Sequence, residues 1–391
     1  MLSQVGRWPM LYHPVVVMKF IVDGDVFGWQ KTGGISRIYQ EMLPLIGGKP
    51  ELDISIALDA PLPDFIGSRI NRSRILSLPM TWRPWRIWSH LSPSINKFLK
   101  DVFWRTRSAD VFLSTYFTSP RISCPKICVV YDMIAEMFGH LFTPEWTEFQ
   151  LERKKTAISR ADMLICISRS TMTDLLRIYG VDRQICRVVY LAGFSSRDTN
   201  TVGMEFSKNR QGFLLYVGDY RSGYKNFGFM LKTVTGSQSL GGYDLVVVST
   251  SIPTKDEVRR FSDVSGGRCI RFENDCDDNK LKGLYSSCEV FIYPSLYEGF
   301  GIPVLEALGC GAPVICSNTS SLPEVGGDAV YYFDPRSENE FHTAMGKALG
   351  DGRRDDLVKK RKEQAAKFSW DRTAEGFLDV IKEAATMGGK R

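Results

Sequence analysis

Two glutamates, Glu298 and Glu306, stand with seven residues between them around a glycine-rich turn. The run Glu289–Tyr293 reads as a short buried strand. The helix Ile302–Gly309 follows directly on Gly299-Phe300-Gly301. Pro303 suits a first helical turn, where its missing N–H costs nothing, and Gly309 or Gly311 can close the helix in the left-handed region. Glycines let a backbone approach a ligand closely, and a helix start points N–H groups and a partial positive charge at it. The arrangement predicts an anion site with phosphate as the natural guest. A phosphate would repel carboxylates lying beside it, so the glutamates belong on hydroxyls at either end. A diphosphate flanked by a ribose and a transferred hexose meets that requirement. The plainer alternative is a tight turn with two solvated acids, and it leaves the combination of strand, loop, helix and both carboxylates unexplained.

The elements that must position this turn come from an alternation of short apolar runs and amphipathic stretches. Strands are predicted over Val15–Val22, Asp53–Leu58, Val111–Ser114, Ile127–Tyr131, Met163–Ile167 and Arg187–Leu191, with helices over Ile35–Ile46 and Glu145–Arg160 among them. Residues 193–211 are polar, rich in glycine and serine and without period, and read as a linker. The alternation restarts at Phe213–Val217 and runs through strands at 243–249, 269–272, 289–293 and 313–317. Three helical stretches, 338–349, 355–368 and 371–386, close the chain. This is an α/β protein of two parallel-sheet, Rossmann-like domains, residues 1–195 and 205–368, facing each other across a deep cleft, with residues 369–391 as a final helix.

The turn and its continuation, Glu298 to Ala307 followed by Gly309–Ser317 and Ser321–Pro335, resemble the signature of the retaining GT-B glycosyltransferases, in particular glycosyltransferase family 4. Thr32–Arg37 is similar to the family's N-terminal glycine-rich loop, Ala161–Ser168 to one of its strands, Phe213–Asn226 to the strand and basic loop that open its donor domain, and Phe368–Asp371 to the start of a last helix that crosses back to the first domain. The resemblance implies retaining transfer of a hexosyl unit, mannosyl first and glucosyl, galactosyl or rhamnosyl otherwise. The donor would be a GDP- or UDP-linked sugar, and the acceptor a hydroxyl on a glycan or lipid-linked glycan, as in bacterial surface polysaccharide synthesis. It places Glu306 on the ribose and Glu298 on the transferred sugar. The backbone of Gly299, Phe300, Gly301 and Ile302, together with Arg221 and Lys225, would hold the diphosphate. Domain 1 is then the acceptor side. No cofactor is implied, no metal and no side-chain nucleophile. The residues also leave open a sugar-nucleotide epimerase of the same fold, or a binding module with a vestigial site.

In the first half, Asp132 ends a predicted strand and is either a catalytic group or a turn cap. The family often has histidine before it, where this chain has Tyr131, which bears on sugar choice. Gly33 and Gly34 form either a simple turn or a close approach to the donor phosphate. Ser168 either caps its helix or faces the cleft. Asp23 and Asp25, and the acids at 275, 277 and 278, read as loop acids rather than metal ligands.

The net charge is +6, but residues 69–107 hold nine basic residues and one acid, a local excess of +8 that leaves the rest of the chain at −2. Trp82, Arg83, Trp85, Arg86 and Trp88 alternate there, with Trp104 further on. Tryptophan suits a membrane interface and arginine pairs with lipid phosphate, so this segment is read as a surface docking on an anionic membrane and receiving the acceptor, with ordinary core packing as the alternative. Nucleic acid finds no other support. The expected site of action is the cytoplasm, at the inner face of the membrane. Nine cysteines without a CxxC pair read as reduced thiols. Met18 offers an alternative start, which would leave residues 1–17 as an extension.

Overall fold

The computed structural model describes residues 17–29, 33–58, 70–74, 102–194, 212–265 and 267–388. These form two sheets in which every pairing is parallel. The first takes β1 (Met18–Asp23), β2 (Leu52–Leu58), β3 (Asn71–Arg74), β4 (Val111–Ser114), β5 (Lys126–Val130), β6 (Met163–Cys166) and β7 (Cys186–Val188) in the order β3-β2-β1-β4-β5-β6-β7. The second takes β8 (Phe213–Val217), β9 (Asp244–Val248), β10 (Ile270–Glu273), β11 (Val290–Tyr293), β12 (Val314–Ser317) and β13 (Tyr331–Phe333) in the order β10-β9-β8-β11-β12-β13. Runs such as Val290–Tyr293 and Val314–Ser317 are buried along their whole length, as strands covered by helices on both faces must be.

Strand order reverses between β1 and β4 in one sheet and between β8 and β11 in the other. Beyond the carboxyl ends of such strands the outgoing connections diverge and open a crevice for ligand. The loop after β8 carries Lys225, and the loop after β11 carries Glu298. The topology alone therefore brings these two side chains together.

The strands fall within a few residues of the sequence expectation. Tyr131 lies just past β5 instead of in it. The basic segment contributes the edge strand β3, which its composition does not announce. Trp104 is buried against Phe112, ring edge to face at 5.2 Å, and so belongs to core packing. Trp82, Arg83, Trp85, Arg86 and Trp88 lie outside the described residues. Among the described residues no helix is long and apolar enough to cross a membrane.

The last helix, Trp370–Gly388, leaves the second domain and packs on the helix Gly34–Gly47 and on β4, β5 and β6. Its apolar residues Ala374, Phe377, Leu378, Ile381 and Ala384 recur at helical spacing and are all buried in the first domain's core. The Trp370 indole donates to Gly193 O at 2.9 Å and Thr373 Oγ1 to Tyr190 O at 2.8 Å, tying the crossing to the chain just before the linker. Phe377 is fully buried, so Phe377→Ala is expected to cost roughly 3–5 kcal/mol of unfolding free energy. Urea titration followed by tryptophan fluorescence reads this, and an unchanged midpoint would place the helix elsewhere.

Candidate active site

Past β11 the chain turns through Glu298–Gly301 into the helix Ile302–Gly309. Gly301 sits at φ 106°, closed to side chains with a Cβ, and Pro303 occupies the first turn. Gly311, at φ 73°, follows the helix end. Hydroxyls pin the turn: Ser321 Oγ donates to Glu298 O at 2.9 Å and Phe300 O at 2.8 Å, and Ser320 Oγ accepts from the Glu298 amide at 2.9 Å. Lys225 ends a tight turn after β8 and reaches across, placing Nζ 2.7 Å from Glu298 Oε1 and 3.2 Å from the Tyr293 hydroxyl. The turn is held by Asn226, itself at φ 58°, whose amide donates to Pro294 O and Pro335 O. The Tyr216 hydroxyl is buried and makes no hydrogen bond. Burial pushes the hydroxyls of Tyr216, Tyr224 and Tyr293 up, and the negative charge of Glu298 nearby adds to it, so all three stay neutral.

The opposite wall belongs to the first domain and touches this turn directly. A Cβ on Gly299 would lie 1.8 Å from Tyr131 O and 3.1 Å from Asp132 Cβ, so only glycine lets the two loops meet. Thr171 Oγ1 donates to Gly299 O at 3.2 Å, and the Tyr297 hydroxyl to Asp174 Oδ2 at 3.0 Å. The Glu324 carboxylate accepts from the amides of Arg169 and Ser170 at 2.9 and 2.7 Å and from the Tyr190 hydroxyl. It thus caps a first-domain helix from the second domain, where the helix dipole favours an anion.

Arg37, one turn into the helix Gly34–Gly47, places one guanidinium nitrogen 2.9 Å from Glu306 Oε1 and the other 2.8 Å from Asp278 Oδ2. Glu306 is almost wholly enclosed, and burial pushes its carboxyl up to about 7, with Arg37 the main opposing influence. Asp278 pushes it further up, while Tyr285 and Lys282 draw it down. Asp23, at the end of β1, is likewise raised to about 6 by burial and by Asp25, against hydrogen bonds from Thr115 and Thr118.

The other residues singled out in sequence fall as follows. Asp132 abuts Gly299, and its Oδ1 accepts from the Ile134 amide at 2.9 Å, so it caps its own turn at the cleft. Lys154, enclosed beside it, donates to Asp132 O and Glu136 Oε2. Gly33 and Gly34 are exposed at the start of their helix. The Phe300 ring is buried and packs between Tyr190 and Phe368, which leaves its backbone for a phosphate. Ser168 accepts from the Thr171 amide as a helix cap and is buried. Tyr131 departs from expectation: its ring turns into the core and its hydroxyl donates to Thr115 O at 2.6 Å and meets the Tyr39 hydroxyl at 2.5 Å, so it offers the cleft only its backbone. Arg221 departs too. It is exposed and committed to Glu257 at 2.7 Å and to Ile252 O, and among the described residues no contact joins it to Glu298. Asp25 pairs with Arg153, and Asp277 caps its helix. Thr171 and Lys154 carry no local motif, while Arg37 closes the glycine-rich stretch Thr32–Arg37 and Glu324 lies within Ser321–Pro335, where neither was singled out as a functional residue.

Comparison with known proteins bears on this geometry. Residues 205–368 match the family described as glycosyl transferases group 1. The chain is 29% identical over 238 residues to O-antigen chain mannosyltransferase B of Escherichia coli, covering 58% of this chain and 62% of that protein. It is 27% identical over 278 residues to the serotype-specific mannosyltransferase WbdA of Escherichia coli, covering 66% of this chain and 34% of that one. The chain therefore spans less than two thirds of the length of these curated relatives. In fold it is similar to Anabaena Alr3699/HepE, solved in complex with UDP, with a TM-score of 0.67 at 15% identity over 94% of this chain and 100% of that one. The paired parallel-sheet domains are the GT-B fold, and the Glu298–Glu306 wall lies within the residues that match the group 1 family.

Two outcomes follow from this geometry. Gly299→Ala cannot keep its contact with Tyr131 O, so the domains must separate there; small-angle scattering should show a larger radius of gyration, and an unchanged profile would contradict the contact. Glu306 holds its proton in the folded state up to about 7, against an ordinary 4.5, so it withdraws stability as pH rises through that window. Glutamine does not titrate. The unfolding free energy of Glu306→Gln relative to the parent should therefore rise by roughly 3 kcal/mol between pH 4.5 and pH 8.

Proposed function

We propose that this chain is a retaining glycosyltransferase. It moves a hexosyl unit, mannosyl first, from a GDP- or UDP-linked sugar to a hydroxyl of a glycan or lipid-linked acceptor in the assembly of a bacterial surface polysaccharide. The observation that carries the reading is the pair Glu298 and Glu306 at the two ends of one glycine-rich helix start, each acid matched with a cation. The mannosyltransferase names of the relatives support the sugar, and the UDP complex of the structural neighbour supports a nucleotide in the cleft.

In this reading the diphosphate lies on the backbone of Gly299–Ile302, with Lys225 drawn onto it. Glu306 takes the ribose hydroxyls and Glu298 those of the transferred sugar. The bond from the sugar's anomeric carbon to the phosphate oxygen breaks through an oxocarbenium-like state. The departing oxygen takes the acceptor's proton, and the new bond forms on the same face. Lys225 and the helix start supply the positive charge that the leaving group requires, which is where catalysis gains most. The acceptor lies against the first domain, where Trp146 and Phe149 are exposed on the helix Pro144–Ser159 and offer flat apolar faces for sugar rings. The segment around Trp82–Trp88, with its basic excess, is placed at an anionic membrane that presents the lipid-linked acceptor.

A thermal-shift panel of GDP- and UDP-sugars tests the reading, since a donor at 100 times its Kd stabilises by about 2.7 kcal/mol; no shift with any of them would end it. Lys225→Ala should lower kcat on the order of a hundredfold and raise donor KM by less.

A further inference from the structure

Arg37 joins the two domains at the carboxylate assigned above to the ribose. Its two nitrogens lie 2.9 Å from Glu306 and 2.8 Å from Asp278. The two ties are unequal: the Asp278 side chain is 46% exposed and its pair is screened by water, while the Glu306 side chain is 4% exposed. A carboxylate enclosed to that degree needs a partner in every state of the cleft. The Arg37 guanidinium also lies 5.3 Å from the Phe194 ring. On the other acid the arrangement repeats, with Lys225 on Glu298 at 2.7 Å. Arg37 and Lys225 are thus each paired with a carboxylate of the cleft.

A nucleoside diphosphate changes the accounts of charge on both sides. Its ribose brings two hydroxyl donors to Glu306, and its phosphates bring negative charge to the first turns of the helices Gly34–Gly47 and Ile302–Gly309, which meet through the Arg37–Glu306 bond. Resting on the donor reading above, we propose that Arg37 is a nucleotide-binding residue that changes partner: the ribose takes Glu306 from it, and the released guanidinium becomes the first domain's cation for the diphosphate. The same exchange dissolves a tie between the domains, so nucleotide arrival and the interdomain bond are coupled through one side chain.

The exchange gives opposite signs for two probes. In the parent, Arg37 competes with any ribose but assists any diphosphate. Arg37→Met, of similar length and without charge, should weaken GDP or UDP binding about tenfold, the worth of one charge-assisted hydrogen bond. It should leave guanosine or uridine bound as tightly as in the parent, or several-fold more tightly. Arg37→Lys should recover part of the diphosphate affinity. Isothermal titration calorimetry on the full chain with all four ligands reads these values, and circular dichroism checks that the variants are folded. Equal losses for diphosphate and nucleoside, or no loss for either, would reduce Arg37 to a structural tie and overturn the exchange. If the parent binds neither GDP nor UDP, the donor reading fails and the exchange fails with it. If the parent binds and the ratio of diphosphate to nucleoside affinity is unmoved in Arg37→Met, only the exchange fails.

Discussion

A carboxylate taken out of water must be neutralised, protonated or bonded, and in this protein two such carboxylates flank a single helix start. Their compensation organises the cleft. Glu298 draws Lys225 across from the neighbouring strand end, within one sheet. Burial outweighs the pull of Lys282 in its own domain, and the Glu306 carboxyl sits near 7 even with Arg37 of the opposite domain against it. Charge balance at Glu306 is therefore a property of the two-domain assembly and not of the domain that carries the residue.

The same dependence runs through the backbone. Gly299 meets Tyr131 O with no space for a side chain, and Glu324 caps the first-domain helix Arg169–Tyr179. A single apolar core continues across the interface, with Tyr297, Phe300 and Leu305 of one domain in the same cluster as Val130 and Tyr131 of the other. The last helix then fastens the two by returning to the first sheet through Trp370 and Phe377. Each contact is modest, but together they hold the carboxyl-end loops of the two sheets against each other, so the ligand crevice of each domain opens onto the other.

Much of this was legible in order of residues. The strands are short because they are buried on both faces, and such runs announce themselves in composition. Of the two glycines offered for the helix end, Gly311 and not Gly309 takes the left-handed region; the positive φ of Gly301 was not foreseen. The approach of Lys225 to Glu298 follows once its loop is placed after a strand adjacent to the one before Glu298. Other residues misled. Arg221, four residues from Lys225, turns to Glu257, because that carboxylate lies within reach on the helix Lys255–Asp263. Tyr131 stands beside the cleft in sequence, yet its hydroxyl finds buried partners in Thr115 and Tyr39, a better exchange for a ring than exposure.

The sequence by itself determined the two α/β domains and the helix start with its flanking acids, because each rests on periodicity, backbone freedom or caps supplied by residues within a turn or two; the return of the last helix to the first domain was implied only by the family resemblance, and its contacts are long-range. Only the tertiary structure decided which charge answers Glu306, since Arg37 is 269 residues away and nothing local to either residue refers to the other. It also decided that Gly299 must be glycine for the sake of the opposite domain and not for its own turn. Partners drawn from distant parts of the chain are chosen by where the sheets and the crossing helix bring backbone into contact, and that is a property of the packed whole.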